Sequence, residues 1–158
     1  KPMIFAVEDD NAVYLSRTDN QHLLSSYAEK PFFLDNALWP TVAHYFHAMK
    51  FTDEAYRTRI QQAETPELAK KLGRNRLKRM RKDWKKVRIT VMTRALYTCC
   101  RTHQDVTEAL LATENKTLIE NATYDYFWGC GRDRRGENQY GKVLMNVRNK
   151  LLEESKKV

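Results

Sequence analysis

The sequence predicts a single, mainly helical domain of the α+β class with a small β component. Apolar residues recur at spacings of three and four over long segments, which is typical of helices with one buried face. Short apolar runs of strand length occupy the first forty positions. At 158 residues and 42% hydrophobic content, the chain can bury one core but not two comfortable ones. We therefore assign residues 1–158 to one domain.

The β component is predicted at two places near the start of the chain. Met3–Val7 is an apolar run of strand length. Phe32–Leu34 and Ala37–Trp39 flank the pair Asp35 and Asn36, which tolerates positive φ. The sequence therefore predicts one strand and one small hairpin.

Three short helices are predicted next, each from a residue that can act as an N-cap. Thr41 and Asp53 begin the first two, at 42 to about 51 and 53 to 63. Thr65 begins the third, with Pro66 at its first position and Gly73 as its C-terminal stop.

Further helices are predicted from apolar periodicity, and a glycine-rich loop separates the last two. Asp83 is the expected cap of the longest helix. The loop, residues 125–138, holds three of the five glycines beside aromatic and charged residues, so its backbone can approach a ligand. The periodic residues are Trp84, Val87, Val91, Met92, Ala95 and Leu96, then Val106, Ala109 and Leu110, and finally Tyr140, Leu144, Val147 and Leu151.

Positive charge is concentrated in one segment. The formal net charge is +8, and Lys70–Arg88 contains 11 Lys or Arg residues opposed only by Asp83. So dense a positive field favours a phosphate-bearing partner. The alternative is that the charge only keeps the protein in solution.

Other features narrow the class of protein. Cys99, Cys100 and Cys130 suit neither a disulfide framework nor a spaced zinc site, which predicts a reducing compartment, cytoplasmic or, in a eukaryote, nuclear. No apolar run approaches the roughly 18 residues of a membrane span, so we expect no membrane association. His44 and His47 lie three apart on a helix without further ligands, so we predict no metal and no cofactor.

Several segments, taken in order, resemble the NADAR (YbiA-like) family over nearly the whole chain. Each segment alone is weak, but their order and spacing make the resemblance specific. They are Leu24–Tyr27, Trp39–Phe46, Lys50–Phe51, Gly73–Arg76, Asp83–Trp84, Leu110–Thr113, Leu118–Glu120, Asp125–Gly131, Asn138 and Gly141–Met145.

The resemblance implies an N-glycosidase that cleaves the bond between a ribose C1 and a nitrogen. Two substrate classes are known for the family: phosphoribosylated pyrimidine intermediates of riboflavin synthesis, and ADP-ribose attached to guanine in nucleic acid. The family pattern W-P-T-V-E-H-Y-F has glutamate where this chain has Ala43. A carboxylate there suits an oxocarbenium-like transition state, and alanine does not. Either the glutamate was replaced to trap a ligand, which we favour because the other motifs are intact, or the chain is a naturally inactive binder.

The resemblance also implies the remaining site residues. Asp125 orients the ribose, assists acid–base chemistry or caps the glycine loop, and Trp128 stacks on a base or ribose or belongs to the core. Trp84 we assign to the core. The expected ligand-binding residues are Ser25, Ser26, Tyr27, His44, Lys50, Gly73, Arg74, Arg76, Trp128, Gly129 and Asn138. For Asn138 the alternative is a cap on the last helix, and for the arginines a solvated basic face.

Three functional hypotheses follow. The first is a glycosidase that removes ADP-ribose from guanine, most plausibly in DNA, because a free nucleotide does not need so broad a positive surface. The second is an N-glycosidase acting on riboflavin intermediates, and the third is an ADP-ribose or nucleic-acid binding module without catalysis. We expect a monomer whose partners are ADP-ribose or an ADP-ribosylated base, and nucleic acid.

Overall fold

The computed structural model describes residues 11–157, which form six helices and four short strands. The predicted α+β class is confirmed. The strand predicted at Met3–Val7 lies outside the described residues. The elements are β1 (Ala12–Leu15), β2 (Phe32–Leu34), β3 (Ala37–Trp39), α1 (Val42–Ala48), α2 (Glu54–Gln61), α3 (Pro66–Gly73), α4 (Trp84–Thr102), α5 (Gln104–Leu111), β4 (Thr117–Glu120) and α6 (Gln139–Ser155).

The predicted hairpin is confirmed. β2 and β3 pair antiparallel, with Phe32 opposite Trp39. Asp35 and Asn36 both have positive φ, at 52° and 62°, as a tight two-residue turn requires. The paired Phe32 and Trp39 are buried in the core, whereas Phe33 is 62% exposed on the other face.

A second pair of strands was not predicted. β1 and β4 pair in parallel, with Leu15 opposite Glu120. Parallel strands need a long crossover, and here the connection contains every element from β2 to α5. The pairing places the C-terminal ends of the two strands side by side, and the segments that follow them meet there.

Helix α1 is central, and all seven of its residues are buried. It packs against α2, α3, α4 and β3. The predicted cap is confirmed, since the Thr41 hydroxyl accepts a hydrogen bond from the backbone N–H of His44 at 3.2 Å. The helix ends at Ala48 rather than near Phe51. Asp53 is confirmed as the cap of α2, which ends at Gln61.

Helix α3 begins as predicted but ends differently. Thr65 accepts from the N–H of Leu68 at 3.1 Å, and Pro66 is the first helical residue. Gly73 lies inside the helix, Arg74 is the C-cap, and Gly73 is not among the glycines with positive φ. A Cβ at position 73 would lie 2.6 Å from Nδ1 of His47. The glycine therefore permits close packing of α3 on α1 and is not the stop that we predicted.

Helix α4 buries the predicted face, with Val87 only half-buried. Asp83 stands before the helix but makes no capping hydrogen bond, because its carboxylate is paired with Arg81 at 2.6 Å. Burial raises the pKa of Cys99 and of Cys100 to about 12, so both thiols stay protonated. Residues 11–157 contain no helix long and apolar enough to span a bilayer.

Helix α6 packs on β4 and on α4. Its closest approach is at Gly141, where an added Cβ would overlap the carbonyl oxygen of Leu118 and lie 2.5 Å from the Asn138 amide nitrogen. Backbone therefore meets backbone at this point, with no space for a side chain.

We expect Gly141→Ala to lower the free energy of unfolding by about 1–3 kcal/mol, because overpacking outweighs the gain in helix propensity. Urea denaturation followed by circular dichroism measures this change. The exposed neighbour Lys142 provides the control, since Lys142→Ala should leave the urea midpoint nearly unchanged. Equal midpoints for the two variants would contradict the packing argument.

Candidate active site

A cavity of about 980 Å³ opens between α1, α3, the start of α4 and the glycine-rich loop. It brings together residues that are far apart in sequence. Among the predicted site residues, those that line it are Ser26, Tyr27, Ala43, Lys50, Gly73, Arg74, Arg76, Asp125 and Trp128.

One side of the cavity contains an ion-pair cluster that the sequence analysis missed. Arg17 follows β1, Glu120 ends β4, and Asp125 lies in the loop beyond it. The guanidinium of Arg17 donates to Glu120 Oε1 at 2.7 Å and to Asp125 Oδ2 at 2.6 Å. Glu120 is 1% exposed, so the guanidinium neutralises a buried carboxylate.

The second oxygen of Glu120 is also satisfied. Its Oε2 accepts the backbone N–H of Arg17 at 2.9 Å, and its Oε1 accepts that of Ala122 at 3.2 Å. These bonds offset the desolvation of the carboxylate. Glu120 is therefore fully engaged in holding the two strand ends together.

Asp125 is held more tightly than a free acid–base group. Its Oδ1 accepts the backbone N–H groups of Phe127 at 2.9 Å and Trp128 at 2.7 Å. Burial favours a higher pKa for Asp125, but Arg17 and the loop N–H groups outweigh it and hold the pKa below the ordinary value. The predicted capping of the glycine loop is confirmed. Because Asp125 also lines the cavity as an ionised carboxylate, its role toward the ribose stays a prediction.

Position 43 is connected to the same cluster through the backbone. The N–H of Ala43 donates to the carbonyl of Ser26 at 2.9 Å. Ser26 in turn donates to the carbonyl of Arg17 through its N–H at 3.0 Å and its hydroxyl at 2.7 Å. The start of α1 is therefore fixed relative to Arg17. A longer side chain at position 43 would extend into the cavity that Ala43 lines.

Lysines and arginines make another part of the cavity wall positively charged, in contrast to the carboxylates described above. Burial first, and then the charges of Arg74 and Lys70, lower the pKa of Lys50 to about 8. The pKa of Lys70 is lowered by burial and by Arg74. Burial and the nearby charge of Lys50 hold the pKa of His47 well below its ordinary value, so His47 is neutral. Cations that destabilise one another in this way favour a bound anion.

Aromatic side chains form the remaining wall. Phe46 makes edge-to-face contacts with Trp84 at 5.1 Å and with Trp128 at 5.3 Å between ring centroids. Trp84 is 6% exposed and belongs to the core, as predicted, and it also lines the cavity. Trp128 belongs to the core and also lines the cavity. Arg88 stacks on Phe127, with Cζ 3.4 Å from the ring centroid.

The structure places Ser25 and His44 outside the lining of the cavity, and their predicted contacts with a ligand stay predictions. The Ser25 hydroxyl donates to the carbonyl of Arg17 at 2.8 Å. His44 is 1% exposed, and its ring nitrogens bond the hydroxyl of Thr41 at 2.7 Å and the carbonyl of Ala63 at 2.9 Å. Both residues therefore support the backbone.

Gly129 and Asn138 also lie outside the lining of the cavity, and their predicted ligand contacts likewise stay predictions. A Cβ at position 129 would lie 2.8 Å from Glu120 Oε1, so Gly129 leaves space for that carboxylate. The amide of Asn138 accepts from the N–H of Glu120 at 2.8 Å and donates to the carbonyl of Leu118 at 2.9 Å. Asn138 does occupy the N-cap position of α6, as the alternative prediction has it, but its side chain makes no capping hydrogen bond; the Asn138 carbonyl accepts the N–H of Lys142 at 3.0 Å.

Sequence reasoning missed Arg17, Glu120, Lys70, Arg88 and Phe127 as members of this region. Glu120 ended one of the segments that carry the family resemblance, so a charged residue closing an apolar strand was an available signal. Arg17 stands alone in a polar stretch and offered none. Among residues 11–157, no three His, Cys, Asp or Glu side chains are arranged to hold a metal ion.

We expect Arg17→Met to raise the pKa of Asp125 from its lowered value, because the guanidinium is lost while the burial that raises the pKa remains. In the parent protein, Asp125 contributes stability at pH values above about 3.9, the unfolded pKa, and loses it as pH falls through the lower folded pKa. In the variant this stabilising contribution should be smaller. Carboxyl ¹³C NMR titration measures the pKa.

The same substitution leaves Glu120 buried and unpaired, so the free energy of unfolding should fall by about 3–5 kcal/mol. Arg94→Met is the matched control, because Arg94 pairs with the more exposed Asp35 at 2.8 Å. An exposed pair contributes about 0–1 kcal/mol. Similar decreases in the free energy of unfolding for the two variants would show that the buried Arg17 cluster contributes no more stability than an exposed ion pair.

Proteins of known name resemble this chain in sequence over most of its length. N-glycosidase YbiA of Escherichia coli is 37% identical over 145 residues, which cover 92% of this chain and 91% of that protein. An N-glycosidase of Nostoc punctiforme is 38% identical over 130 residues, which cover 80% of this chain and 83% of that protein. The chloroplastic riboflavin biosynthesis protein PYRR of Zea mays is 38% identical over 128 residues, which cover 75% of this chain and 20% of that protein.

The fold and the domain pattern lead to the same family. The NMR structure of E. coli YbiA superposes with a TM-score of 0.83 at 36% identity, covering 97% of this chain and 92% of that one. The sequence pattern of the NADAR domain matches residues 4–152. The resemblance inferred from the sequence is confirmed, and the chain belongs to the NADAR family.

Proposed function

We propose that this protein is an N-glycosidase of the NADAR family that removes ADP-ribose from guanine in nucleic acid when glutamate occupies position 43. With Ala43 the chain binds this substrate and cleaves it poorly. One observation carries the proposal: residue 43 and the ionised Asp125 line a single cavity together with a cluster of lysines and arginines.

The reaction class rests on the relatives and on the cavity. Two relatives that match most of this chain are named N-glycosidases. Hydrolysis breaks the bond between the ribose C1 and the base nitrogen, and the electron pair leaves with the base. A water oxygen bonds to C1, and its proton balances the charge on the base. The transition state resembles an oxocarbenium ion.

A glutamate at position 43 would act on this transition state in one of two ways. It would accept the proton of the attacking water, or it would stabilise the positive charge that develops on the sugar. Asp125 contributes a second negative charge from the same cavity. The methyl group of Ala43 supplies neither effect, which is why we propose weak turnover for this chain.

The basic wall accounts for a diphosphate. Arg74, Arg76 and Lys50 all line the cavity. Guanidinium groups bind phosphate oxygens in a bidentate geometry, and a lysine binds as a point charge. Burial first, and the positive charges of Arg74 and Lys70 second, lower the pKa of Lys50. A bound diphosphate would therefore stabilise the charged form of that lysine.

Size and charge favour a nucleic-acid substrate over a small one. At about 980 Å³ the cavity lies near the top of the common range of roughly 300–1,000 Å³. This volume suits a dinucleotide-like group better than a single phosphoribosyl unit. Positive charge continues outside the lining at Arg79 and Lys86, where only a longer polyanion would meet it.

A metabolic substrate is the second candidate. The Zea mays relative and one from Vibrio vulnificus, 30% identical over 145 residues, are named riboflavin biosynthesis proteins. Such a substrate predicts saturable turnover of small ribosylamines with little salt dependence. The third candidate, a binding module without catalysis, is favoured by Ala43 alone.

Ala43→Glu should restore release of ADP-ribose from an oligonucleotide that carries ADP-ribosylated guanine. Chromatography of the products measures it. Ala43→Gln is the control, because glutamine has nearly the same volume as glutamate but no charge. The rate of ADP-ribose release by this variant should remain close to that of the parent chain. A phosphoribosylated pyrimidine is tested in parallel.

Each candidate gives a different pattern. Turnover of the oligonucleotide by the glutamate form, and not by the glutamine form, supports our proposal. Turnover of the pyrimidine alone supports the metabolic candidate. Binding without turnover of either substrate by the glutamate form would leave the binding module.

Arg74→Ala should weaken ADP-ribose binding more than tenfold, through loss of a charge-assisted bidentate contact worth roughly 1.5–3 kcal/mol. Isothermal calorimetry measures the affinity. Arg79 provides the control, because it is an exposed arginine of the same segment that does not line the cavity. Equal affinities for Arg74→Ala and Arg79→Ala would show that Arg74 is only a surface charge.

A further inference from the structure

Leu77 is the most exposed large apolar residue described, at 94% exposure. It lies in the segment that joins α3 to α4, residues 74–82, which we call the basic segment. None of the functions discussed so far requires an apolar side chain there.

The basic segment presents Leu77 in a defined turn. The Asn75 side chain accepts the N–H of Leu77 at 3.0 Å, and the Asn75 carbonyl accepts that of Lys78 at 3.2 Å. Further along, the N–H of Arg81 donates to the carbonyl of Lys50 at 2.8 Å. At the other end, the N–H of Asn75 donates to the carbonyl of Leu72 in α3 at 3.3 Å, so both ends of the segment are fixed beside the cavity.

The surroundings of Leu77 are cationic and lie at the mouth of the cavity. Its neighbours Arg76 and Lys78 line the cavity, and so does Met80, which is itself 49% exposed. The basic segment contains six Lys or Arg residues, of which Arg81 pairs with Asp83, just beyond the segment, and Lys78 with Asp53. An apolar tip within such a field complements a partner that has a polyanionic backbone and an apolar interior. Duplex nucleic acid has both.

We propose that Leu77 is a wedge that enters the base stack of duplex nucleic acid and occupies the space left when the modified guanine turns into the cavity. This inference rests on the proposed function, because it assumes that the guanine is bound there. A base within a duplex must leave the stack before the bond that joins it to the ADP-ribose can enter the cavity. Apolar side chains inserted between base steps stabilise such unstacked states.

The test uses the chain as it is, with Ala43, which binds without rapid cleavage. The probes are an oligonucleotide with one ADP-ribosylated guanine beside 2-aminopurine, single-stranded and as a duplex, and the same strand unmodified. Anisotropy of an end label measures affinity, and 2-aminopurine fluorescence reports unstacking. The variants are Leu77→Ser, the apolar rescue Leu77→Met, and Leu38→Ser, which removes an exposed leucine from the hairpin.

We expect Leu77→Ser to weaken duplex binding about tenfold and to abolish most of the fluorescence rise, because the wedge is lost. Its affinity for the modified single strand should change less than about twofold, since no stack has to be opened there. Leu77→Met and Leu38→Ser should behave like the parent.

Three results would overturn the inference. Equal weakening on duplex and single strand would make Leu77 a general contact, and an unchanged duplex response would show that it does not enter the stack. If the parent chain binds modified and unmodified single strands equally, the proposed function fails and the wedge fails with it. That last pattern involves no Leu77 variant, so the two failures are distinguishable.

Discussion

The guanidinium of Arg17, placed between Glu120 and Asp125, is the interaction on which the site depends. It joins the end of β1 to the end of β4 and to the glycine-rich loop, both of which lie about a hundred residues later in the sequence. The carbonyl of Arg17 accepts hydrogen bonds from the hydroxyl groups of Ser25 and Ser26. The carbonyl of Ser26 accepts one from the N–H of Ala43. One residue therefore sets the position of the loop carboxylate and of the helix start that would hold the acting glutamate. Without it, two partly or fully buried carboxylates would face each other unneutralised.

The charges around the cavity fall on two sides, and this division bears on the different roles that we propose for position 43 and for Asp125. On the carboxylate side, Arg17 neutralises Glu120 and Asp125. On the other side lie Lys50, Lys70 and Arg74; burial, and after it the positive charge of Arg74, lowers the pKa of both lysines. Asp125 accepts two backbone N–H groups and one guanidinium, so moving or protonating it would break the loop structure. A side chain at position 43 is not needed for such hydrogen bonds, because it is the backbone N–H of Ala43 that bonds the carbonyl of Ser26. This is why we propose that a glutamate at position 43 would act on the transition state in one of the two ways described, and that Asp125 acts only through its charge.

Local rules were sufficient for most of the fold. The hairpin turn, the caps at Thr41, Asp53 and Thr65, and the apolar face of α4 are all determined by residues within a few positions of one another. The parallel pair of β1 and β4 was not predictable in this way, because each strand has four residues and the pairing spans a crossover of about a hundred. Gly73 shows a related limit. Its conformation is ordinary, and only the ring of His47 on another helix explains why no side chain is tolerated.

The site shows why membership in a motif does not imply contact with a ligand. Ser25, Gly129 and Asn138 were all predicted to bind ligand, yet each supports the Arg17 cluster. Ser25 bonds the carbonyl of Arg17, Gly129 leaves space beside Glu120 Oε1, and Asn138 holds the backbone of β4 at Leu118 and Glu120. Substituting any of them would displace Glu120 or Arg17, and through them Asp125 and position 43. Weaker ligand binding in such a variant would therefore not identify a contact. A change in the pKa of Asp125 would distinguish the indirect effect, since a residue that only touches ligand leaves that pKa unchanged in the free protein.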